Sequence, residues 1–428
     1  MAQASLIDEL RAARWFGGKS RGIRSVAVVD RVRWTPESTL RLVDVVYADG
    51  GVETYVLAES LEEPAVGHGL LRQFAGAEVR TERGGRLVFE PTHLLPGIDQ
   101  QRIEPMAQLR AEQSNTSIRF GDALILKLFR RVQFGPNPEV EIGWFLTEHT
   151  DFHGMPAVVG SLDYHAPDGA TASLALLQQF VANVGDAWQT TLHRLRGVLE
   201  GDDPEPTVDS LARLGVTTAA LHVALARPGG GPDFDPEPVS NVDLTTWRRL
   251  IQDELRAAAL GLRRHGTPVD LEHLLEGANG IEALRATCKI RQHGDYHLGQ
   301  VLESPEGGFV IIDFEGEPSK PLAIRREKRS SLRDVAGMLR SFDYARNAAL
   351  RAQGGGDTAR ATRWYEAVRN AFLDSYVQTV RRRAPELLPM DIEPPLRALE
   401  LEKAAYEVLY ELNSRPDWLP IPLAALTS

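Results

Sequence analysis

The 428-residue sequence has a single cysteine and no apolar run of the length that a membrane span requires. Because Cys288 has no second thiol to pair with, an internal disulfide is excluded, which is typical of a protein in a reducing cytosol. The N-terminal segment lacks the continuous apolar core of a signal peptide, and no stretch of about 18 apolar residues follows. We therefore expect a cytoplasmic protein with no membrane association.

The sequence also has fewer basic than acidic residues. Lys and Arg number 48 against 59 Asp and Glu, which gives a formal net charge of -11. This balance disfavours nucleic acid or an anionic membrane surface as the main partner. Hydrophobic residues make up 43% and charged residues 25%, as in ordinary globular proteins, and the length allows two or three domains.

The hydrophobic pattern divides the chain into three segments. Residues 1–90 are β-rich, with alternating apolar positions and a hairpin signal at 48–51. Residues 91–180 read as a β-meander with one helix, which Asn137 and Pro138 would begin. Residues 181–428 are mostly helical with one short β insert. The order predicts an α+β protein of several domains.

Two short segments carry the chemistry. H-G-D-Y-H-L-G-Q occupies 293–300, and I-I-D-F-E occupies 311–315 after a β signal. Phosphoryl transfer needs a carboxylate that orients the acceptor hydroxyl and takes its proton, together with oxygen ligands for Mg²⁺ on the phosphates. Asp295 suits the first role, and Gln300 and Asp313 suit the second. Glu315, two residues beyond Asp313, returns a second carboxylate to the same side of an extended chain.

A lysine that holds the α- and β-phosphates of ATP is expected upstream. Lys127 lies in the apolar run LILKLF, where a buried ammonium needs a partner, and we predict Glu141 for that role over Glu139 and Glu148.

The remaining nucleotide contacts are predicted by position. A phosphate-covering loop is expected between the strands that precede the lysine, although it lacks G-x-G-x-x-G; its residues are Ser114, Asn115, Thr116 and Ser117. The segment from Gln179 to Val181 is expected to form the inter-lobe hinge and bind the adenine through its backbone.

These motifs match the protein-kinase spacing of a catalytic Asp, an amide side chain five residues later, and a D-F-G at a strand end. The H-G-D form resembles aminoglycoside phosphotransferases. The sequence departs from the pattern at Gln300, where Asn is usual, and at Glu315, where Gly is usual.

Longer stretches resemble the actinobacterial maltokinase family and its close relatives, which include glucosamine kinases. They include RWFGGKSR at 14–21, SNTSIRFGDALILKLFRR at 114–131, SLRDVAGMLRSFDYA at 331–345 and YEVLYELNSRPDWLPIPL at 406–423. The resemblance implies a bilobal protein-kinase-like fold with an N-terminal cap domain at 1–90, a kinase-like N-lobe at 91–180 and a mostly helical C-lobe at 181–428. It also implies ATP and Mg²⁺ as cofactors, and transfer of a phosphate to maltose to give maltose 1-phosphate.

The resemblance leaves the acceptor open. Glucosamine, giving glucosamine 6-phosphate, is the alternative, because the shared motifs serve ATP, metal and proton transfer. Association with an enzyme of trehalose or α-glucan metabolism is a further implication of the maltokinase resemblance. A pseudokinase that regulates another enzyme and a drug-modifying aminoglycoside kinase are competing hypotheses. The intact set of Asp295, Asp313 and Lys127 argues against the first, and the extra N-terminal domain against the second.

Two further expectations concern the C-terminal half. Glu407 and Glu411, with Trp418 as a ring platform and His297 from the catalytic segment, are predicted to border the acceptor cleft; the alternative is a solvated helix face stabilised by Glu–Lys pairs. Ser331 and Asp334 are predicted to form a capping box at the start of a largely buried helix.

Overall fold

The computed structural model describes residues 2–109 and 115–427, with side chains from residue 6 onward. It divides into two compact units. The first comprises the described residues up to His149 together with Pro156–Ala182, and the second comprises Thr150–Met155 and the chain from Asn183 onward. Within the described ranges, no helix combines the length and apolar character needed to cross a bilayer.

The first unit is built on two antiparallel sheets. Its helices are α1 (Ala2–Ala12), α2 (Pro64–Gln73) and α3 (Pro138–His149). Its strands are β1 (Ile23–Thr35), β2 (Ser38–Tyr47), β3 (Val52–Ala58), β4 (Glu78–Arg80), β5 (Arg86–Pro91), β6 (Met106–Leu109), β7 (Asn115–Phe120), β8 (Leu124–Phe129), β9 (Arg131–Val132), β10 (Val158–His165) and β11 (Thr171–Gln179). One sheet has the order β1-β2-β3-β9 and the other the order β4-β5-β10-β11-β8-β7-β6.

Local sequence explains several of these boundaries. The predicted hairpin at 48–51 joins β2 to β3, with Gly50 at a positive φ of 87° and the Asp49 carboxylate accepting from Gly51 N. Asn137 begins α3 as predicted, because its side-chain oxygen accepts from Glu139 N at 2.9 Å.

The structure does not divide the first unit at residue 90. Strand β5 pairs with β10 along its whole length, from Arg86 opposite His165 to Pro91 opposite Gly160. Residues 78–91 therefore belong to the same sheet as the strands of the predicted kinase-like lobe. A core of buried side chains that includes Trp34, Phe74 and Phe120 draws on both predicted segments.

The second unit is mainly helical. Its helices are α4 (Ala187–Glu200), α5 (Glu205–Leu225), α6 (Asn241–His265), α7 (Leu271–Gly277), α8 (Leu322–Arg325), α9 (Leu332–Ala352), α10 (Thr358–Arg383), α11 (Glu393–Ser414) and α12 (Pro420–Thr427). Its short strands are β12 (Gly185–Asp186), β13 (Glu237–Pro238), β14 (Cys288–Lys289), β15 (Val301–Glu303) and β16 (Phe309–Ile311). Strands β12, β15 and β16 form one sheet, and β13 pairs with β14.

Helix α9 is the central element of the second unit. It buries apolar residues such as Leu339 and Phe342, but also Asp334, Arg340 and Asp343. The predicted capping box at its start is wrong, because the Ser331 side chain makes no capping hydrogen bond and Asp334 is committed elsewhere.

Candidate active site

The predicted catalytic segment forms a loop that leads from β14 into β15. Gly294 has a φ of 85°, a backbone conformation that favours glycine, and a Cβ at this position would lie 3.2 Å from Gly316 Cα. The loop that carries Asp295 therefore packs directly against the segment that follows Asp313 and Glu315.

The first turns of helix α9 hold this loop in place. The Asp334 carboxylate accepts from His293 N at 2.8 Å and from Gly294 N at 2.9 Å. Arg333, its neighbour, donates to Gly294 O at 3.3 Å. Two turns further along the helix, Ser341 Oγ accepts from Leu298 N at 3.1 Å. One helix thus binds the loop through four backbone groups.

Asp295 is half-buried and faces a lysine from helix α11. Lys403 Nζ lies 3.3 Å from Asp295 Oδ1. Burial acts to raise the Asp295 pKa, but the charges of Lys403, His297 and His293 outweigh it, so that the pKa lies below its usual value. For Lys403, burial acts to lower the pKa, and Asp295 and Glu317 outweigh it and raise the pKa. Asp295 is therefore ionised at neutral pH, as a proton acceptor must be.

Gln300 and Asp313 meet as predicted. Ile312 N donates to Gln300 O at 3.0 Å, and Gln300 Nε2 donates to Asp313 Oδ2 at 2.9 Å. Asp313 has a φ of 67°, which is uncommon for a residue other than glycine and is often associated with functional sites. A carboxylate oxygen of Asp313 and one of Glu315 lie within 4.8 Å of each other. Two carboxylates and an amide oxygen form a donor set that fits Mg²⁺, which prefers oxygen ligands.

His297 is positioned by the catalytic loop itself. Its Nδ1 accepts from Gly299 N at 3.0 Å, which begins the short turn that ends at Gln300. Burial lowers the His297 pKa, against the opposing charge of Asp295. Because Nδ1 is an acceptor in a neutral ring, the proton resides on Nε2. The structure therefore gives His297 a role in shaping the loop, and its predicted contact with the acceptor stays a prediction.

In the first unit, the predicted phosphate-binding lysine is buried with a carboxylate partner. Lys127 on β8 is 8% exposed, and its Nζ donates to Glu139 Oε2 at 2.8 Å. The predicted partner Glu141 is therefore replaced by Glu139. Residues two apart on a helix point to different sides, and the first turn of α3 directs Glu139, which is 4% exposed, toward β8.

The predicted phosphate-covering residues lie on different faces of β7, and Ser114 falls outside the described residues. Ser117 pairs in register with Lys127 and lies on its side of the sheet. Thr116 lies on the other side of the sheet from Lys127, where its Oγ1 accepts from the buried Arg130 at 2.7 Å, so its predicted phosphate contact finds no support. Asn115 is half-buried at the start of the strand.

The predicted hinge segment lies where the first unit ends. Val181 is one residue before Ala182, at the boundary between the two units. Gln179 N donates to Ala157 O at 2.9 Å, so the adenine contact of this segment stays a prediction for the other backbone groups.

The residues predicted for the acceptor cleft on α11 are buried in ion pairs. Glu407 Oε2 accepts twice from Arg340, at 3.0 and 2.8 Å. Glu411 is 1% exposed and accepts from Tyr344 and from Arg415. Neither the acceptor prediction nor its solvated-face alternative fits, since both carboxylates are enclosed and already paired.

The ring of Trp418 is also occupied by protein contacts. It stacks on Tyr344 with an interplanar angle of 9° and a centroid distance of 6.3 Å. The guanidinium groups of Arg351 and Arg415 lie 5.3 and 5.1 Å from its centroid. These contacts replace the predicted role of Trp418 as a platform for a sugar.

A cavity lies beside the catalytic loop. It is bordered by Gly294 and Tyr296, which flank Asp295, and by charged side chains from four other elements: Glu254, Glu317, Lys320, Arg333, Glu402 and Lys403. Its volume of about 30 Å³ accommodates one or two groups of the size of a water molecule.

Two carboxylate oxygens in this cavity are buried without a hydrogen-bond partner among the described residues. They are Glu317 Oε2 and Glu402 Oε2. The other oxygen of Glu317 accepts from Arg333 at 3.1 Å, and Glu402 lies 3.6 Å from the same arginine. Buried acceptors that lack a donor are costly, so the cavity is suited to a group that donates hydrogen bonds.

Sequence reasoning missed Lys403 and Glu402 as site residues. They are separated from Asp295 by more than a hundred positions, and no motif spacing connects them. A usable signal was the helical repeat of Leu399, Glu402, Lys403 and Tyr406, which places these side chains on one face of α11.

No family model matches the chain, but known proteins are similar to it in sequence. The glucosamine kinase of Mycolicibacterium smegmatis is 26% identical over 327 residues, which are 74% of this chain and 78% of that protein. The glucosamine kinase of Streptacidiphilus jiangxiensis is 26% identical over 326 residues, which are 74% and 71% of the two chains.

Comparison with solved structures shows a similar fold over nearly the whole chain. A glucosamine kinase in complex with glucosamine, ADP and inorganic phosphate superposes with a TM-score of 0.75 at 21% identity, over 98% of this chain and 97% of that one. A second crystal form of glucosamine kinase gives a TM-score of 0.76. The chain has a kinase-like α+β fold, as predicted. Its sequence and fold are similar to those of the glucosamine kinases.

The close packing of α9 under the loop gives a stability prediction. A Cβ at Gly337 would lie 2.6 Å from Tyr296 O. Helix propensity alone predicts that Gly337→Ala stabilises the folded protein by about 1 kcal/mol. We expect a net loss of about 1–2 kcal/mol in the free energy of unfolding, because overpacking against fixed backbone costs more. Urea denaturation measures the difference.

Gly261→Ala is the matched control. It lies in helix α6, where a Cβ would meet the terminal Cδ1 of Leu412, which can rotate away. The free energy of unfolding of this variant should be unchanged or higher. If Gly337→Ala were as stable as Gly261→Ala, the contact between α9 and the loop would not be as tight as described.

Proposed function

We propose that this protein is an ATP-dependent sugar kinase that transfers the γ-phosphate of ATP to a hydroxyl of glucosamine. The observation that carries the proposal is the arrangement of the catalytic loop. The ionised Asp295 lies on the same loop as Gln300, and the side chain of Gln300 is hydrogen-bonded to Asp313. An acceptor carboxylate and metal-binding oxygens on two adjoining segments are what phosphoryl transfer requires.

In this mechanism, Asp295 orients the acceptor hydroxyl and accepts its proton as the hydroxyl oxygen bonds to the γ-phosphorus and the bond from that phosphorus to the oxygen of the leaving ADP breaks. Lys403 keeps Asp295 ionised before the acceptor arrives. Asp313, Glu315 and the amide oxygen of Gln300 would hold Mg²⁺, which supplies charge neutralisation on the phosphates when bound. Lys127, fixed by Glu139, would bind the α- and β-phosphates.

The choice of glucosamine rests on the relatives and on the cavity. The matched relatives and structures are glucosamine kinases, so the alternative acceptor is better supported than maltose. In the cavity, Glu317 Oε2 has no hydrogen-bond partner among the described residues, and Glu402 Oε2 has an ion pair with Arg333 at 3.6 Å but no hydrogen bond. An ammonium group is of a size that the cavity admits, and it can donate to both carboxylates with the added strength of a charge-assisted bond.

The first prediction of this proposal concerns the base. Asp295→Asn should lower kcat by about 10²–10⁴-fold, the usual contribution of a positioned general base. Binding of ATP should change little, since Asp295 acts on the acceptor. A coupled assay of ADP release with glucosamine, together with calorimetric titration of the nucleotide, measures both. Turnover close to that of the unchanged protein would exclude Asp295 as the base, and absence of turnover in the unchanged protein with every sugar would favour the pseudokinase hypothesis.

A second prediction concerns the metal. Asp313→Ala should abolish Mg²⁺-dependent nucleotide binding, because it removes a charged ligand from a site with few protein oxygens. Gln300→Ala should weaken binding less, since an amide oxygen is neutral. Titration of ATP with and without Mg²⁺ compares the two variants, and a larger loss for Gln300→Ala would reverse the assignment of the principal ligand.

The third prediction tests the acceptor. Glu402→Gln should raise the KM for glucosamine about tenfold, because it removes a charge that pairs with the ammonium group. The KM for an uncharged sugar such as glucose or maltose should rise less, and the KM for ATP should stay the same. Steady-state kinetics with all three sugars give these values, and NMR of the product identifies the hydroxyl that is phosphorylated.

Glu400→Gln is the control for this measurement. Glu400 lies on the same helix but binds Arg369 outside the cavity. It should leave the KM for every sugar unchanged. Equal rises in KM for glucosamine and glucose in Glu402→Gln would argue against recognition of an ammonium group.

A further inference from the structure

Asp334, which binds the catalytic loop, is also hydrogen-bonded to a buried side chain of another helix. His222 of helix α5 is fully buried, with Nε2 at 3.2 Å from Asp334 Oδ2 and Nδ1 at 2.9 Å from the Tyr376 hydroxyl. The same hydroxyl lies 3.0 Å from Ser331 Oγ. We refer to His222, Asp334, Tyr376 and Ser331 as the His222 network.

The direction of these bonds follows from the charge of Asp334. Burial acts to raise its pKa, but the hydrogen bond and charge of His222, with His293 and the Gly294 amide, outweigh it and lower the pKa. Asp334 is therefore an acceptor, and His222 must present Nε2–H to it. Burial raises the pKa of Tyr376, so that its hydroxyl keeps its proton and donates to Ser331 Oγ.

Helix α5 also contacts the catalytic loop directly. Thr218 lies one turn before His222, and its Oγ1 is 2.8 Å from the Tyr296 hydroxyl. Both side chains are fully buried. One face of α5 therefore supports the loop at Tyr296 and supports the anchor of the loop at Asp334.

From this geometry we propose that His222 is a positioning residue for catalysis. It fixes the rotamer in which the two oxygens of Asp334 face the backbone N–H groups of His293 and Gly294. It thereby sets the position of Asp295, the next residue. The effect on turnover rests on the proposed function, whereas the effect on the loop does not.

The alternative is that His222 merely fills space in the core. Its ring packs edge-on against Tyr376 with centroids 5.6 Å apart, so loss of packing alone would also destabilise the protein. The two roles differ in what a glutamine would restore. A glutamine side chain can present an N–H to Asp334, while a leucine fills the space without a donor.

The experiment compares His222→Leu with His222→Gln. In His222→Leu, we expect kcat to fall about 10–100-fold, because a small displacement of a catalytic group is enough to lower the rate by this amount. The KM for ATP should change little. Hydrogen–deuterium exchange of the amides of residues 293–295 should be at least several-fold faster. His222→Gln should recover most of both properties.

Ser210→Ala is the matched control. It removes a buried hydroxyl from the same helix, and that hydroxyl has no hydrogen-bond partner among the described residues. Both kcat and exchange should stay at the level of the unchanged protein. Tyr376→Phe provides a milder test if His222→Leu does not fold, with an expected fall in kcat of about threefold and faster exchange at the same amides.

Two results would overturn the proposal: equal losses in His222→Leu and His222→Gln, or exchange in His222→Leu that matches the Ser210→Ala control. If no sugar is phosphorylated at all, the proposed function fails. The exchange measurements on the unliganded protein then still decide whether His222 holds the loop.

Discussion

A single buried carboxylate fixes the geometry of the candidate active site. Asp334 accepts hydrogen bonds from the backbone N–H groups of the two residues before Asp295, and it is 2% exposed. Burial of an unpaired carboxylate is prohibitively costly, so the loop must supply these donors for helix α9 to be buried as it is. The backbone of the loop is thereby determined by the packing of a helix, and the position of Asp295 follows from it.

The charges around Asp295 serve opposing requirements. Lys403 keeps the carboxylate ionised, but a lower pKa also makes it a weaker base. This compromise suits phosphoryl transfer, in which the transition state is loose and the acceptor proton is not withdrawn early. Orientation of the hydroxyl then matters more than basicity. The rigid attachment of the loop to α9 and the ion pair with Lys403 both favour orientation.

The sequence predicted those parts of the site that are continuous in the chain. The spacing of Asp295, Gln300 and Asp313 was sufficient, because a loop and a strand end bring these residues together locally, and their contact in the structure agrees. The choice between Glu139 and Glu141 depended on the rotation of α3 against β8, which periodicity does not determine. In the same way, Asp334 fits the sequence pattern of a capping box. In the structure it binds the backbone of the catalytic loop instead, and the position of that loop is a tertiary feature.

The misplacement of the acceptor residues on α11 has a related cause. Glu407 reads as a surface residue until Arg340 of α9 is placed opposite it, where the two form a buried ion pair. Such pairs contribute little net stability, and their better-attested use is to select one register between elements. Lys403 lies one turn before Glu407 on the same face of α11, and it is Lys403 that reaches Asp295 of the catalytic loop. Glu407 is held by Arg340, whereas Glu402 and Lys403 line the cavity beside the loop. The position of each side chain along the helix, which tertiary packing decides, therefore separates the residues of the core from those of the site.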